Sequence, residues 1–310
     1  MSGARLPLPT DLVALIAHDG RVFPNEAYTW DRMGSEHGGP HPLETALEQW
    51  LSFATGKHTW VSVHGATIRG LISARKRAKR TAWEVDCLIN ADEDDSVAIS
   101  LLERMLAGVG KQGAERAFLR VGADSAMVDI ARGAGFFPLA REILYAAGEP
   151  PSAGDPGLPL RRGTKADAFG LYQLYEATTP ANVRAIEGAT FREWQAARET
   201  WGRRSRDLVL EDDGIITGWL RLRGGHEGRF SLLLHPERRD YDAFLATALA
   251  RLSDAHSLVT VVPDSNPTLA AALENLGFRP RGEFSLLATR LARPAKELAP
   301  ESVGRAVTAG

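Results

Sequence analysis

Glu84 and Asp86 lie in the run Trp83-Glu84-Val85-Asp86-Cys87, whose alternation reads as a strand. Side chains two apart on a strand point the same way, so the two carboxylates share one face. There they either meet solvent or serve as a general base. His235 is a further candidate base, since imidazole titrates near pH 6.5 when unperturbed (roughly). His235-Pro236 also reads as a simple turn at a strand end. The basic run Arg75-Lys76-Arg77-Ala78-Lys79-Arg80 either contacts phosphate or caps an exposed hairpin tip. His37 and His41 flank a Gly-Gly-Pro loop, but no further residues stand at metal-ligand spacing. Cys87 is the only cysteine; inside an apolar strand it reads as a buried small side chain, and no intrachain disulfide can form. The sequence has no nucleotide P-loop, dinucleotide glycine fingerprint, metalloprotease helix or serine-nucleophile elbow.

These residues need a scaffold. In the second half a strand is expected at 158–162, followed by a helix capped by Thr164 and a second helix near 189–201. Strands at 207–211 and 215–223 flank the turn Asp212-Asp213-Gly214, a strong hairpin signal. A strand at 228–234, helix 241–255, strand 257–262, helix 267–276 and strand 282–289 complete the order, with Pro267 suited to a first helical turn. The first half lays over this order: strands 60–64, 68–75 and 81–89, helix 96–110, strand 116–121, helix 125–132 and strand 142–146. Before residue 57, helical stretches are expected at 11–17 and 43–53.

Gly135-Phe136-Phe137-Pro138 recurs 142 residues later (277 minus 135) as Gly277-Phe278-Arg279-Pro280, each time ending a helix that follows a strand and an Asp-Ser pair. The repetition indicates a duplicated domain. Residues 148–159 hold four prolines and three glycines, which excludes a helix or an inner strand. The resulting division is a first domain over 1–147, a linker over 148–158, a second domain over 159–292 and a flexible tail over 293–310. Cleavage of the linker is expected to leave two separately folded pieces. The 310 residues suit two domains of about 150 each. A formal net charge of -2 gives no global field for nucleic acid or an anionic membrane surface. The chain shows neither the layout of a signal peptide nor the roughly 20 apolar residues of a membrane helix, so a cytoplasmic location is expected.

The element order, the Leu276-Gly277-Phe278 helix end and the opening at 158–175 resemble the GNAT superfamily of N-acetyltransferases. The resemblance implies an α/β fold of two tandem GNAT-like domains, each a mixed, mostly antiparallel twisted sheet flanked by helices. It also implies acetyl-CoA as donor and a small-molecule amine as acceptor, with a non-catalytic protein that binds a metabolite or protein partner as the alternative. In that family the pyrophosphate sits on a glycine-containing loop that opens the helix after the fourth strand. Backbone N–H groups at a helix start bind anions, and glycine permits close approach.

Leu234 and His235 resemble the strand end before that loop, which then reads Arg239-Asp240-Tyr241-Asp242-Ala243-Phe244. Arg239 keeps the family's cation, while Asp242 and Phe244 stand at the glycine positions, so acetyl-CoA binding is expected to be weak or lost and replacing both by glycine is expected to improve it. The first copy reads Glu93-Asp94-Asp95-Ser96-Val97-Ala98, within an acidic run that begins at Asp92. One like-charge pair at about 4 Å costs on the order of 4 kcal/mol at an effective dielectric of about 20, so this copy is expected to exclude coenzyme A. Asn266 matches a family asparagine that contacts the cofactor. Glu84 and Asp86 lie on the strand that carries the family's base, whereas the usual acid tyrosine is replaced by Ala131 and Leu273.

Overall fold

The computed structural model describes Arg5 and residues 24–34, 58–64, 67–91, 94–148, 151, 154–202 and 204–292. The helical stretches expected at 11–17 and 43–53, the His37/His41 loop, Asp92, Glu93 and the tail over 293–310 lie outside the described residues.

The first half runs β1 (His58–His64), β2 (Thr67–Lys76), β3 (Ala82–Asn90), α1 (Asp95–Lys111), β4 (Arg116–Gly122), α2 (Met127–Gly133) and β5 (Phe137–Ala147). The second half opens with the short β6 (Arg161–Arg162), then α3 (Ala168–Thr178), α4 (Ala181–Glu187) and α5 (Phe191–Ala197). It continues through β7 (Ser205–Asp212), β8 (Ile215–Arg223), β9 (Glu227–Leu234), α6 (Tyr241–Arg251), β10 (Ser257–Pro263), α7 (Pro267–Asn275) and β11 (Arg279–Arg290). Local sequence accounts for most boundaries. Asp213 and Gly214 both take positive φ in the β7–β8 turn, the geometry a tight hairpin needs. Thr164 with Asp167, and Thr190 with Glu193, form reciprocal capping boxes. The single helix expected near 189–201 is instead the short α5, and α4 precedes it without having been anticipated.

The duplication is visible at the level of single hydrogen bonds. Gly135 and Gly277 take φ of 89° and 88°. The next residues, Phe136 and Phe278, donate their N–H back to Ala131 O and Leu273 O at 3.0 Å in both copies. This is the Schellman closure of a helix, and it drives each Phe fully into a core.

The strands form one sheet in the order β1-β2-β3-β4-β11-β5-β10-β9-β8-β7-β6. Each half contributes an antiparallel meander followed by one parallel pair, β3 with β4 and β9 with β10. The final strands are exchanged: β11 lies antiparallel to β4, and β5 lies antiparallel to β10. β5 and β11 pair with each other at the centre, where Glu142 faces Phe284, with Arg141 facing Ser285 and Ile143 facing Glu283. That register relates the two halves by a pseudo-twofold axis. Leu287 of β11 belongs to the first half's core, and Tyr145 and Ala147 of β5 belong to the second's.

This corrects the expectation of two separately folded pieces, because each core is completed by the other half's last strand. Withdrawing one leucine of such a strand to water costs about 1.5–3 kcal/mol, and β11 buries Leu286 and Leu287 together. A chain cut between residues 154 and 158 is therefore expected to elute as a single species in native size-exclusion chromatography and to resolve into two fragments only in denaturant. Fragments that part without denaturant would contradict the exchange.

Candidate functional site

Parallel neighbours that part at their C-terminal ends leave a crevice, and α/β sheets bind ligands in such crevices. Both halves have one. The β3–β4 ladder covers only Ala82–Glu84 against Arg116–Phe118 before the strands diverge. The β9–β10 ladder covers Glu227–Phe230 against Ser257–Thr260, and the Thr260 hydroxyl donates to Phe230 O at 2.8 Å where the fork begins.

The first fork is filled by the chain itself. Glu26 N–H donates to Leu88 O on β3 (2.9 Å), and Tyr28 N–H donates to Arg120 O on β4 (2.8 Å). The Asn25 side-chain oxygen accepts from the N–H groups of Leu88 (2.9 Å) and Ala27 (3.0 Å). Ala27, Thr29 and Trp30 are buried. The described part of the acidic loop has a structural role: Asp94 caps α1 by accepting from Ser96 N–H at 2.9 Å and pairs with Arg69 at 2.8 Å.

Glu84 and Asp86 share a face as the alternation requires, but that face is neither solvated nor open to a crevice. Glu84 is buried between Arg75 (2.7 Å) and Arg77 (3.1 Å). Asp86 is fully buried and accepts from the Ser73 hydroxyl at 2.5 Å. The basic run is divided in the same way. Arg75 also pairs with Asp31 (2.7 Å), Arg77 is buried over the Phe118 ring, and only Ala78, Lys79 and Arg80 are exposed. Cys87 is a buried thiol, as its apolar setting indicated.

The charges around Glu84 continue across the molecule. Arg77 reaches Glu199 of the second half at 3.3 Å; Arg120 reaches Glu199 at 2.8 Å and Glu142 at 2.6 Å. Burial alone would raise the Glu199 pKa, yet the guanidiniums of Arg120 and Arg77 outweigh it and hold the carboxyl below its ordinary range.

The second fork opens into a cavity of about 390 Å³. One side is formed by Leu234, Pro236, Tyr241, Ser265 and Asn266. Asn266 caps α7 by accepting from Leu269 N–H (3.2 Å) and also accepts from the Tyr241 hydroxyl at 3.4 Å, tying the starts of α6 and α7 together. The opposite side is aromatic and charged: Trp30, Trp194, Trp201 and Trp219 line it with Tyr175, Glu187, Arg198 and Arg221. The Tyr175 hydroxyl donates to Glu187 at 2.9 Å. Burial pushes the Glu187 carboxyl upward, only partly opposed by the Arg77 charge. Trp30 follows directly on the segment that fills the first fork. Its carbonyl and that of Met33 accept from buried Arg229, and its ring meets Trp201 at 4.6 Å.

Of the sequence candidates, Leu234 and Asn266 line this cavity, whereas His235, Arg239, Asp242 and Phe244 do not. His235 accepts from Glu237 N–H at its ring nitrogen (3.5 Å). Arg239 is exposed and donates to Pro236 O at 2.9 Å. Asp242 is exposed in the first turn of α6. Phe244 is fully buried, and its ring packs where a Cβ at Gly218 would otherwise sit. The matching glycine of the first half, Gly70, meets Leu101 and Val97, and the buried Val97, Ala98, Leu101 and Leu102 of α1 have the spacing of the buried Phe244, Leu245, Ala248 and Leu249 of α6. Phe244 thus corresponds to Val97 rather than Ala98, a slip of one residue from the motif alignment. The same slip sets Ala243 against Ser96 and the buried Leu245 against Ala98. Tyr175, Glu187, Arg198, Arg221 and the tryptophans were not singled out from sequence. The available signal was tryptophan clustering, since three of the chain's seven fall within 194–219.

No family model and no curated protein matches the chain. Solved structures do. A GCN5-related N-acetyltransferase from Sphaerobacter thermophilus superposes with a TM-score of 0.56 at 17% identity, over 94% of this chain and 96% of that one. A candidate acetyltransferase from Pyrococcus horikoshii gives a TM-score of 0.52 at 14% identity, over 94% and 89% of the two chains. A Drosophila protein gives 0.51 at 14% identity, over 94% and 99%. At these identities the likeness shows the fold. Among the described residues no helix is long and apolar enough to cross a membrane.

Because the Phe244 ring fills a core rather than a cofactor loop, Phe244→Ala is expected to destabilise the chain by about 3–5 kcal/mol, read from urea unfolding. A variant of unchanged midpoint would return the ring to the loop surface.

Proposed function

We propose that this chain, which carries the GCN5-related N-acetyltransferase fold twice, transfers an acetyl group from acetyl-coenzyme A to an amine in its second half and uses its first half as a scaffold. The observation that carries this reading is the asymmetry of the two forks: one is filled by residues 25–29, the other opens into a cavity.

The filled fork also indicates what the open one would hold. Leu88 and Leu232 have the same register, Leu88 facing Ile72 and Leu232 facing Leu220. At Leu88 the free strand edge takes up two amide groups, the Glu26 N–H and the Asn25 side-chain oxygen. The Leu232 edge presents the same N–H and C=O to the second fork. An arm carrying amides, such as that of coenzyme A, suits it by strand addition. Ala243 at the start of α6 leaves room for backbone approach, and Asp240 is neutralised by Arg238 at 2.5 Å. When bound, the thioester supplies an activated acyl carbon for attack by an amine. Backbone N–H groups of the β9 edge would polarise its carbonyl.

An attacking ammonium must lose a proton. Three glutamates line the cavity, and Glu142 and Glu199 are held by guanidiniums. Glu187 instead accepts from the Tyr175 hydroxyl, and burial raises its pKa, so we assign it as the base. A coenzyme A donor and a single buried thiol suit the cytoplasm, where we place the chain.

Calorimetry of the full chain with acetyl-coenzyme A tests this reading. One equivalent is expected; none would overturn the acyl-transfer reading, and two would mean that the first fork opens. Glu187 acts only when ionised, and its pKa is raised, so kcat/KM is expected to fall with decreasing pH at a point above the ordinary carboxylate range. Glu187→Gln should remove that acid limb and lower kcat at least tenfold while leaving acetyl-coenzyme A affinity unchanged. A variant that keeps both the limb and the rate would dismiss Glu187 as base.

A further inference from the structure

The aromatic side of the cavity holds two guanidiniums that share one carboxylate. Arg221 pairs with Asp207 at 2.9 Å, whereas Arg198 approaches the same group only to 4.0 Å. Trp219 N–H also donates to Asp207 at 2.9 Å, which uses up more of its accepting capacity. Arg198 makes no side-chain hydrogen bond among the described residues, and its Nε is buried without a partner. Its guanidinium lies 5.1 Å from the Trp194 ring and 5.0 Å from the Trp219 ring; Arg221 lies 5.4 Å from Trp219 and 5.2 Å from Trp201.

Arg198 is partly buried, with its Nε shut off from water and a second cation beside it, and an anion at its edge would relieve both costs. Burial first, and then the Arg221 charge, pull the Arg198 pKa down to about 10. The other guanidinium lining the cavity, Arg120, is already paired with Glu142 and Glu199, so the unmet demand is local to Arg198. Flanking indoles leave the planar edge of a guanidinium as its approach, and that fork matches a carboxylate bidentately.

We infer that the acceptor is an amine bearing a carboxylate, with an aromatic amino acid as the closest class: Arg198 and Arg221 bind the carboxylate, and the indoles of Trp194, Trp201 and Trp219 enclose its ring. The inference rests on the acyl-transfer reading for the fate of the amine. The anion site itself rests on the buried, partnerless Nε of Arg198 and the cavity its guanidinium lines.

Intrinsic tryptophan fluorescence of the full chain provides a direct binding readout without turnover. L-phenylalanine and phenethylamine, which differ only in the carboxylate, serve as probes. L-phenylalanine is expected to bind at least tenfold more tightly, Arg198→Gln to erase that preference, and Arg198→Lys, which keeps the charge but not the fork, to retain part of it. Equal or tighter binding of phenethylamine, or no binding of either probe, overturns the inference through the unmodified protein alone, whatever the variants do. A preference that survives in a folded Arg198→Gln overturns it as well. Acetyl-coenzyme A binding is scored separately. A chain that takes up the donor but shows no preference for phenylalanine loses only the acceptor assignment. One that prefers phenylalanine but ignores the donor loses acyl transfer and keeps the carboxylate site.

Discussion

The exchange of β5 and β11 governs the rest of the molecule. Each strand supplies side chains to the opposite core, so neither half completes its sheet alone. Joining the halves through a central antiparallel pair also fixes what lies above the joint. Helices α4 and α5 of the second half settle on β3, β4 and β11, where Ala196 and Ala197 meet Ala82, Phe118 and Leu286. Arg116 of the first half donates to Ile186 O at 2.8 Å and pairs with Glu193, securing both helices. The wall that carries Glu187, Trp194 and Arg198 is therefore mounted on the first half. This explains how a half with a blocked crevice still matters to the site.

The same joint carries the buried charge chain Asp31–Arg75–Glu84–Arg77–Glu199–Arg120–Glu142. Desolvating so many charges offsets most of their attraction, so the network adds little net stability over an apolar joint of the same shape. Its effect is positional. Glu199 must meet both Arg77 and Arg120, and only one placement of the segment after α5 allows it. That placement sets Arg198 and Trp201 on the cavity side. Removing one member would leave an unpaired buried charge, and a partial network is worse than none.

Sequence carried the features that depend on near neighbours. The hairpin at Asp213-Gly214, the cap at Thr164, the first helical turn at Pro267 and the twin helix ends at Gly135 and Gly277 are decided within a few residues. Features decided by distant contacts were misread. Alternation placed Glu84 and Asp86 on one face but could not show that Arg75, Arg77 and Ser73 engage both carboxylates there and that α5 packs on the same strand. The loop motif assigned Phe244 to a phosphate site because pattern matching ignores Gly218, the contact that draws the ring inward. The strand exchange left no local trace, since β5 and β11 would look the same packed on their own halves.

The duplication itself shows how one crevice closed and the other stayed open. Arg5 bridges to Val61 as Arg161 pairs with Val209, and Pro24 stands as far after Arg5 as Pro180 does after Arg161. From these equivalent prolines the chain takes opposite courses. After Pro180, Ala181-Asn182-Val183-Arg184-Ala185-Ile186-Glu187 forms α4, with alanine, arginine and glutamate favouring a helix. After Pro24, Tyr28-Thr29-Trp30 prefers extended backbone. Asn25 turns its side-chain oxygen to the N–H groups of Leu88 and Ala27, an alternative to helix formation open to asparagine. The non-helical course fills the first fork, and the turn that follows delivers Trp30 to the second cavity. The helical course leaves the second fork clear and delivers Glu187. Two copies of one segment thus differ in local propensity, and the half whose copy is helical is the half whose crevice stays open.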